Sequence, residues 1–286
     1  YALAANILFS ISSIFFSRYS QKFGSVWMNA LKASVACLGF TLTHFLLYAD
    51  YSFSFNSHYL LFLISGFIGL GIGDIFLIRS FVVLGPSRTL ILFSFQPIFF
   101  LFIDSYVFQQ SIKTNSLIAV FIFLLCLILF AIDNLKRTKS WNLTGLTFAL
   151  TGIFLDMIGV LLTKKGFIYF PDINGISANM TRSIGALIFF FLFNFYKPIK
   201  ISKKLFSLPK EKRLNPIIVS FTGTFLSLYF YLNAIKLGNL SIVTAITVTA
   251  PIFATFFESI FEQRKPSKLT WLSLGLFIFA FYLNFI

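Results

Sequence analysis

Long apolar runs separated by short polar or turn-rich stretches occupy nearly the whole chain, at about 1–16, 26–48, 59–83, 89–108, 116–132, 143–162, 176–196, 216–234, 241–261 and 269–286. A bilayer core takes roughly 20 consecutive apolar residues in helical form. The runs are continuous and do not alternate in polarity, which selects helices over a β-barrel. The expected fold class is all-α and integral to a membrane, with ten transmembrane helices. Composition agrees where it bears on this: 58% of residues are hydrophobic and 11% charged, against roughly 45–50% and 25% in soluble domains. These figures argue against a soluble enzyme and a disordered chain. The first run resembles a signal peptide, but it lacks a basic flank and a small-residue cleavage site, so a mature first span is expected.

The charge is lopsided, with 23 Lys and Arg against 9 acids. In a soluble chain that balance suggests nucleic acid; in a membrane protein it marks cytoplasmic loops. Position decides. Connectors 1–2, 3–4, 5–6, 7–8 and 9–10 hold Arg18, Lys22, Arg88, Lys136, Arg137, Lys139, seven bases from Lys197 to Arg213, Arg264, Lys265 and Lys268, sixteen in all. The other connectors hold four, Lys113, Lys164, Lys165 and Lys236. The asymmetry puts the odd-numbered connectors in the cytoplasm and both termini outside. Nucleic acid is not needed as a partner; the lipid bilayer is.

The chain also repeats itself. Gln96-Pro97-Ile98-Phe99 returns as Ala250-Pro251-Ile252-Phe253, an offset of 154 that also pairs Asp104 with Glu258 and Gln109 with Gln263. Leu84-Gly85 pairs with Leu237-Gly238, and Asn29 and Lys32 with Asn179 and Arg182. Two copies of five spans are expected, over 1–134 and 141–286. Five is odd, so the second copy enters from the opposite face and the repeat is inverted, the geometry of carriers that rock about a midplane site.

At these residues the chain resembles the EamA-like family of the drug/metabolite transporter superfamily, as two tandem units. The most specific parts are Gly71-Ile72-Gly73-Asp74 through Leu84-Gly85-Pro86-Ser87-Arg88 to Gln96-Pro97, echoed from Leu237-Gly238 to Ala250-Pro251 and Glu262. The resemblance implies ten-helix secondary carriers, many exporting amino acids and other small metabolites, with a central cavity between the halves. Copy one has Gln109 or Gln110 where the family often has Glu, and copy two has Ser227 near the position of Asp74. The resemblance also implies cytoplasmic termini, opposite to the loop charges.

Ionisable residues inside a span are costly and mark function or bracing. Asp74 is the leading candidate: in a partly dry cavity it suits reversible protonation, and the alternative is an ion pair with Arg79, Lys32 or Arg182. Lys32 and Arg182 either hold a substrate carboxylate or phosphate or brace their own halves. Asp156 faces the same choice, with Asn6, Ser12 and Ser13 as the polar groups of span 1. Gln96, Asn29 and Asn179 complete the candidate substrate-binding or coupling set. Pro97 and Pro251 each remove a helix hydrogen bond and are candidate helix breaks for gating. Asp104 and Glu258, near span ends, are expected at hydrated ends or in salt links to loop bases. Gly69 and Gly73 suggest close helix packing, and the 42 Phe residues suggest lipid-facing bulk. Cys37 and Cys126 read as packing, and neither metal nor cofactor is expected.

The expected function is a secondary transporter, proton-coupled through Asp74, moving small metabolites such as amino acids outward across the cell (inner) membrane as a monomer. The alternatives are a membrane enzyme acting on a lipid-linked substrate, for which no nucleophile, His pair or acidic cluster stands out, and a non-transporting receptor or assembly subunit.

Overall fold

The computed structural model describes residues 1–47, 59–93, 96–109, 142–247 and 249–261, with isolated positions within 114–132 and 268–279. All regular structure among the described residues is helical, and seven stretches are long and apolar enough to cross a membrane. The first half contributes α1 (Ala2–Phe23), α2 (Ser25–Leu47), α3 (Tyr59–Leu84), α4 (Pro86–Phe93) and α5 (Gln96–Tyr106). The second contributes α6 (Leu143–Tyr169), α7 (Gly175–Tyr196), the short α8 (Ile201–Phe206), α9 (Lys210–Leu237), α10 (Leu240–Thr247) and α11 (Ala250–Phe261). The runs at 116–132 and 269–286, the junction at 135–140, and Cys126, His58, Gln110 and Glu262 lie outside the described residues, apart from isolated helical positions in those runs.

Several helices outrun their apolar stretches. Nothing between Ser17 and Phe23 breaks a helix, and the Ser17 hydroxyl donates to the Phe81 carbonyl at 2.9 Å. Helix α1 therefore continues until Gly24, whose φ of +94° favours glycine. Arg18 and Lys22 sit on its last turns, where a cation suits the negative end of the helix dipole. Helix α6 likewise runs to Tyr169 and is capped at its start by Asn142, which accepts from the Gly145 amide at 3.1 Å. Of the four bases assigned to even-numbered connectors, Lys164, Lys165 and Lys236 are thus helical, and Lys113 lies outside the described residues.

The Pro-bearing spans are described as α4 and α5 on either side of residues 94–95, and as α10 and α11 on either side of residue 248. In span 9 a turn at Thr249 precedes Ala250, so Pro251 is the second residue of α11, where a missing backbone N–H costs little. At this turn the Ile246 carbonyl accepts from the Thr249 hydroxyl at 2.7 Å and from Asn6 Nδ2 at 3.3 Å. Helix α10 packs on α5 and α11 on α4. The first part of each Pro-bearing span thus lies beside the second part of the other, and the two cross antiparallel. Helices α3 and α9 each contain one π-helical segment, Gly66–Gly73 and Phe221–Leu226.

Small residues set the closest approaches. A β-carbon on Gly66 would overlap the Arg182 carbonyl, and one on Gly185 the Leu63 carbonyl, so α3 and α7 touch backbone to backbone. On the opposite side of α3, a β-carbon on Gly159 would lie 3.2 Å from the Gly69 Cα, and one on Gly73 3.1 Å from the Leu155 Cβ. The packing expectation for Gly69 and Gly73 holds. The phenylalanines divide: Phe16, Phe40, Phe62, Phe81 and Phe100 are fully buried, while Phe45, Phe154, Phe191 and Phe195 face outward. Lipid-facing bulk is only part of their role.

Asp104 is completely buried, contrary to the hydrated end expected of it. Its carboxylate accepts from the Leu240 amide at 3.3 Å and the Ser241 amide at 2.7 Å, capping α10 from the other half of the chain. Lys164 reaches the same turn and donates to the carbonyls of Ile235 at 2.9 Å and Gly238 at 2.7 Å. An acid thus sits at the positive end of one helix and a cation at the negative end of the one before it. Asp104→Ala leaves two amides unsatisfied and is expected to cost about 1–3 kcal/mol. Asp104→Asn, which keeps one acceptor, is expected to lose less in thermal melting of the detergent-solubilised protein. The side chain of Glu258 lies outside the described residues.

Candidate functional site

A cavity of about 120 Å³ is lined by side chains from both halves of the chain. That is room for several waters or one small solute, since a single water needs roughly 10–15 Å³ of such space. Apolar groups such as Phe9, Leu70, Leu77 and Phe93 make up most of the wall. Against them stand Lys32, Asp74, Asp156 and Arg182, four ionisable side chains that the sequence separates by as much as 150 positions.

Lys32 and Asp74 form a direct ion pair of 2.5 Å, with side chains 4% and 10% exposed. Helix α2 supplies the lysine, and the acid comes where the π segment of α3 returns to regular α-helix. Of the three partners weighed for Asp74, Lys32 is the one in contact. Arg79 is exposed and stacks over the Phe148 ring at 4.5 Å.

The second pair is looser. Arg182, 1% exposed, donates from Nε to the Ser65 hydroxyl at 3.0 Å, while its Nη1 has no partner among the described residues. Asp156 accepts from Gln96 Nε2 at 2.9 Å, which ties α6 to the first residue described in α5. Asp156 and Arg182 attract each other electrostatically, with no direct ion pair between them among the described residues.

Asn29 and Asn179 do not line the cavity. Asn29 donates at 2.9 Å to the carbonyls of Leu70 and Gly71 in the π segment of α3, and Asn179 at 2.9 Å to the Leu228 carbonyl just beyond that of α9. Both act behind the wall, where widened helical turns leave carbonyls available. Pro97 and Pro251 are buried and also lie outside the lining.

The two copies have diverged at matched positions. Lys32 meets an acid on α3, whereas the counterpart of Asp74 on α9 is Ser227, whose hydroxyl donates to the Ala5 carbonyl at 3.0 Å. Among the described residues Arg182 therefore has no direct ion pair like that of Lys32. Conversely, Asp156 aligns with Asn6 at the repeat offset of 150. Each touches the Pro-bearing span of the other copy: Asp156 through Gln96, and Asn6 through Thr249 Oγ1 at 2.6 Å.

Three site residues carried little signal in the sequence. Ser65 receives Arg182 and also contacts the Gly159 carbonyl and the Thr163 hydroxyl, both at 2.7 Å, joining α3, α6 and α7. Tyr231 and Thr224 line the cavity from α9, and the buried Thr224 hydroxyl has no partner among the described residues. A hydroxyl in an apolar helix is common, and only its neighbours distinguish these.

The model of one protein family, described as the EamA-like transporter family, matches residues 1–132 and 143–286. No curated protein matches the chain. One solved crystal structure aligns with it at a TM-score of 0.70 and 10% identity, over 99% of this chain and 98% of the other. At that identity the likeness is one of fold.

Proposed function

The chain belongs to the EamA-like transporter family of membrane proteins, and from that premise we propose a secondary active carrier of small metabolites such as amino acids. In this reading ten spans form two inverted five-helix repeats, over 1–134 and 141–286, that alternate access around the central cavity. The antiparallel crossing of the Pro-bearing spans and the matched π segments support the inversion. The carrier resides in the cell (inner) membrane, works outward and acts as a monomer.

The observation that carries the proposal is the cavity itself, apolar over most of its wall, shared by both halves and holding a buried guanidinium with one nitrogen unpartnered among the described residues. A charged donor left open at that depth is costly, and the carboxylate of a substrate relieves the cost. Arg182 and Asp156 are the substrate-facing charges, with Gln96 linking Asp156 to span 4. Lys32 braces Asp74, which carries the coupling proton. Asn29 and Asn179 hold the cavity wall and do not contact substrate.

Counterflow of labelled amino acids in proteoliposomes tests the carrier. Exchange that depends on internal unlabelled substrate is expected, and saturable binding without exchange would point to a receptor. Arg182→Gln is expected to lower flux at least about tenfold, the value of one charged hydrogen bond, with the protein still folded. Flux indifferent to a pH gradient and unchanged in Asp74→Asn would remove proton coupling at that residue.

A further inference from the structure

The segment from Lys197 to Arg213, which links α7 to the first residues of α9, carries seven basic residues and the single acid Glu211. It is not a loose loop. Ile199 and Leu208 are buried, and Ile201 and Leu205 pack on the apolar cluster that contains Phe16 and Trp27. The Ile199 amide donates to Asn194 Oδ1 at 3.0 Å, and Trp27 Nε1 donates to the Ile201 carbonyl at 3.2 Å. Lys204 Nζ donates at 2.9 Å to the Phe23 carbonyl at the end of α1. Arg213 folds back on the carbonyls of Phe206 and Leu208, both at 2.9 Å. The segment is therefore a strap, and it crosses from the second half of the chain to the α1–α2 turn of the first.

Two of its seven cations are spent on these anchors. The other five, Lys197, Lys200, Lys203, Lys210 and Lys212, are all exposed, and their side chains make no hydrogen bond or ion pair among the described residues. Lys200 holds a left-handed backbone, φ +54°, a conformation that lysine seldom adopts. Beside these cations stand apolar groups that water would not favour. Phe206 is 62% exposed, Leu214 63% and Tyr196 89%. Cations mixed with exposed aromatic and aliphatic groups at the end of a transmembrane bundle match the headgroup zone, where the apolar groups enter the acyl boundary and the lysines meet phosphate.

We propose that this strap is a binding surface for anionic phospholipid headgroups, held on the bundle by Trp27 and Lys204 and presenting Lys197, Lys200, Lys203, Lys210 and Lys212 to lipid phosphate. The apolar groups distinguish this partner from free phosphate, which has no use for Phe206 and Leu214. The surface is separate from the cavity, so it stands whether or not the carrier reading does. Because the strap touches both halves, lipid bound here bridges them.

Native mass spectrometry of the protein released from mixed phosphatidylcholine–phosphatidylglycerol micelles tests the proposal. Phosphatidylglycerol adducts are expected to exceed phosphatidylcholine adducts. Replacing the five lysines with Gln is expected to weaken retention by roughly fivefold per charge at low occupancy, while replacing them with Arg keeps it. All five are exposed, so the folded cavity and its exchange activity provide a control for the variants. Equal adducts for the two lipids, retention unchanged in the Gln variant, or displacement of phosphatidylglycerol by equimolar inorganic phosphate would each overturn it.

Discussion

Lys32→Met is expected to destabilise the protein by about 3–5 kcal/mol, the cost of leaving one partner of a buried ion pair alone. Asp74 is 7% exposed and has Lys32 as its ion-pair partner, so removing the lysine strands a carboxylate against an apolar wall. Asp74→Leu alone is expected to cost a similar amount by stranding the ammonium. The double variant Lys32→Met/Asp74→Leu should regain most of the loss, because well-packed apolar groups replace such pairs at little or no net cost. Thermal melting of the four proteins in one detergent gives the cycle. Transport by the double variant then separates bracing from coupling. A stable double variant that still carries substrate but no longer responds to a pH gradient assigns the proton to Asp74; one that responds fully assigns the pair to architecture alone.

The second large effect is expected where α3 meets α7. Gly66→Ala and Gly185→Ala each place a β-carbon into a carbonyl of the facing helix, at Arg182 and Leu63 respectively. A β-carbon is fixed by the backbone and has no rotamer through which to escape, so the helices must part. Each substitution is expected to cost about 3 kcal/mol or more, at the upper end of overpacking effects, and to lower the yield of folded protein. Gly69→Ala provides the contrast. Its β-carbon would meet the Gly159 Cα at 3.5 Å, an ordinary contact, and the gain in helix propensity offsets what is lost. Its melting temperature should stay near that of the unaltered protein. Parting α3 from α7 also moves Ser65 away from Arg182, so the first two variants should lose transport along with stability.

Much of the architecture was legible because hydrophobicity is a local property with a strong period. Apolar runs predict helices wherever the chain lies in lipid, and repeat offsets are preserved in the order of residues such as Gln96-Pro97 and Ala250-Pro251. Helix ends were less legible. The polar stretch after Phe16 reads as a connector, yet Ser17 finds the Phe81 carbonyl and the helix continues to Gly24. Pro251, a candidate break, follows a turn at Thr249, while the two residues before Gln96-Pro97 lie outside the described residues.

By itself the sequence determined the membrane-embedded all-helical class, the duplication, the basic connectors and the short roster of in-span charges, each of them fixed by residue type and spacing along one chain. Tertiary structure alone decided how those charges divide. Lys32 closes on Asp74, Asp156 binds Gln96, and Arg182 keeps one nitrogen without a partner among the described residues, while Asn29 and Asn179 turn to helix carbonyls behind the wall. Asp104, read as a hydrated end, caps a helix in the opposite half. The reason is physical: a buried charge is satisfied by whatever group the packing brings within about 3 Å. That group lies on another helix, at a separation in sequence that no local pattern encodes.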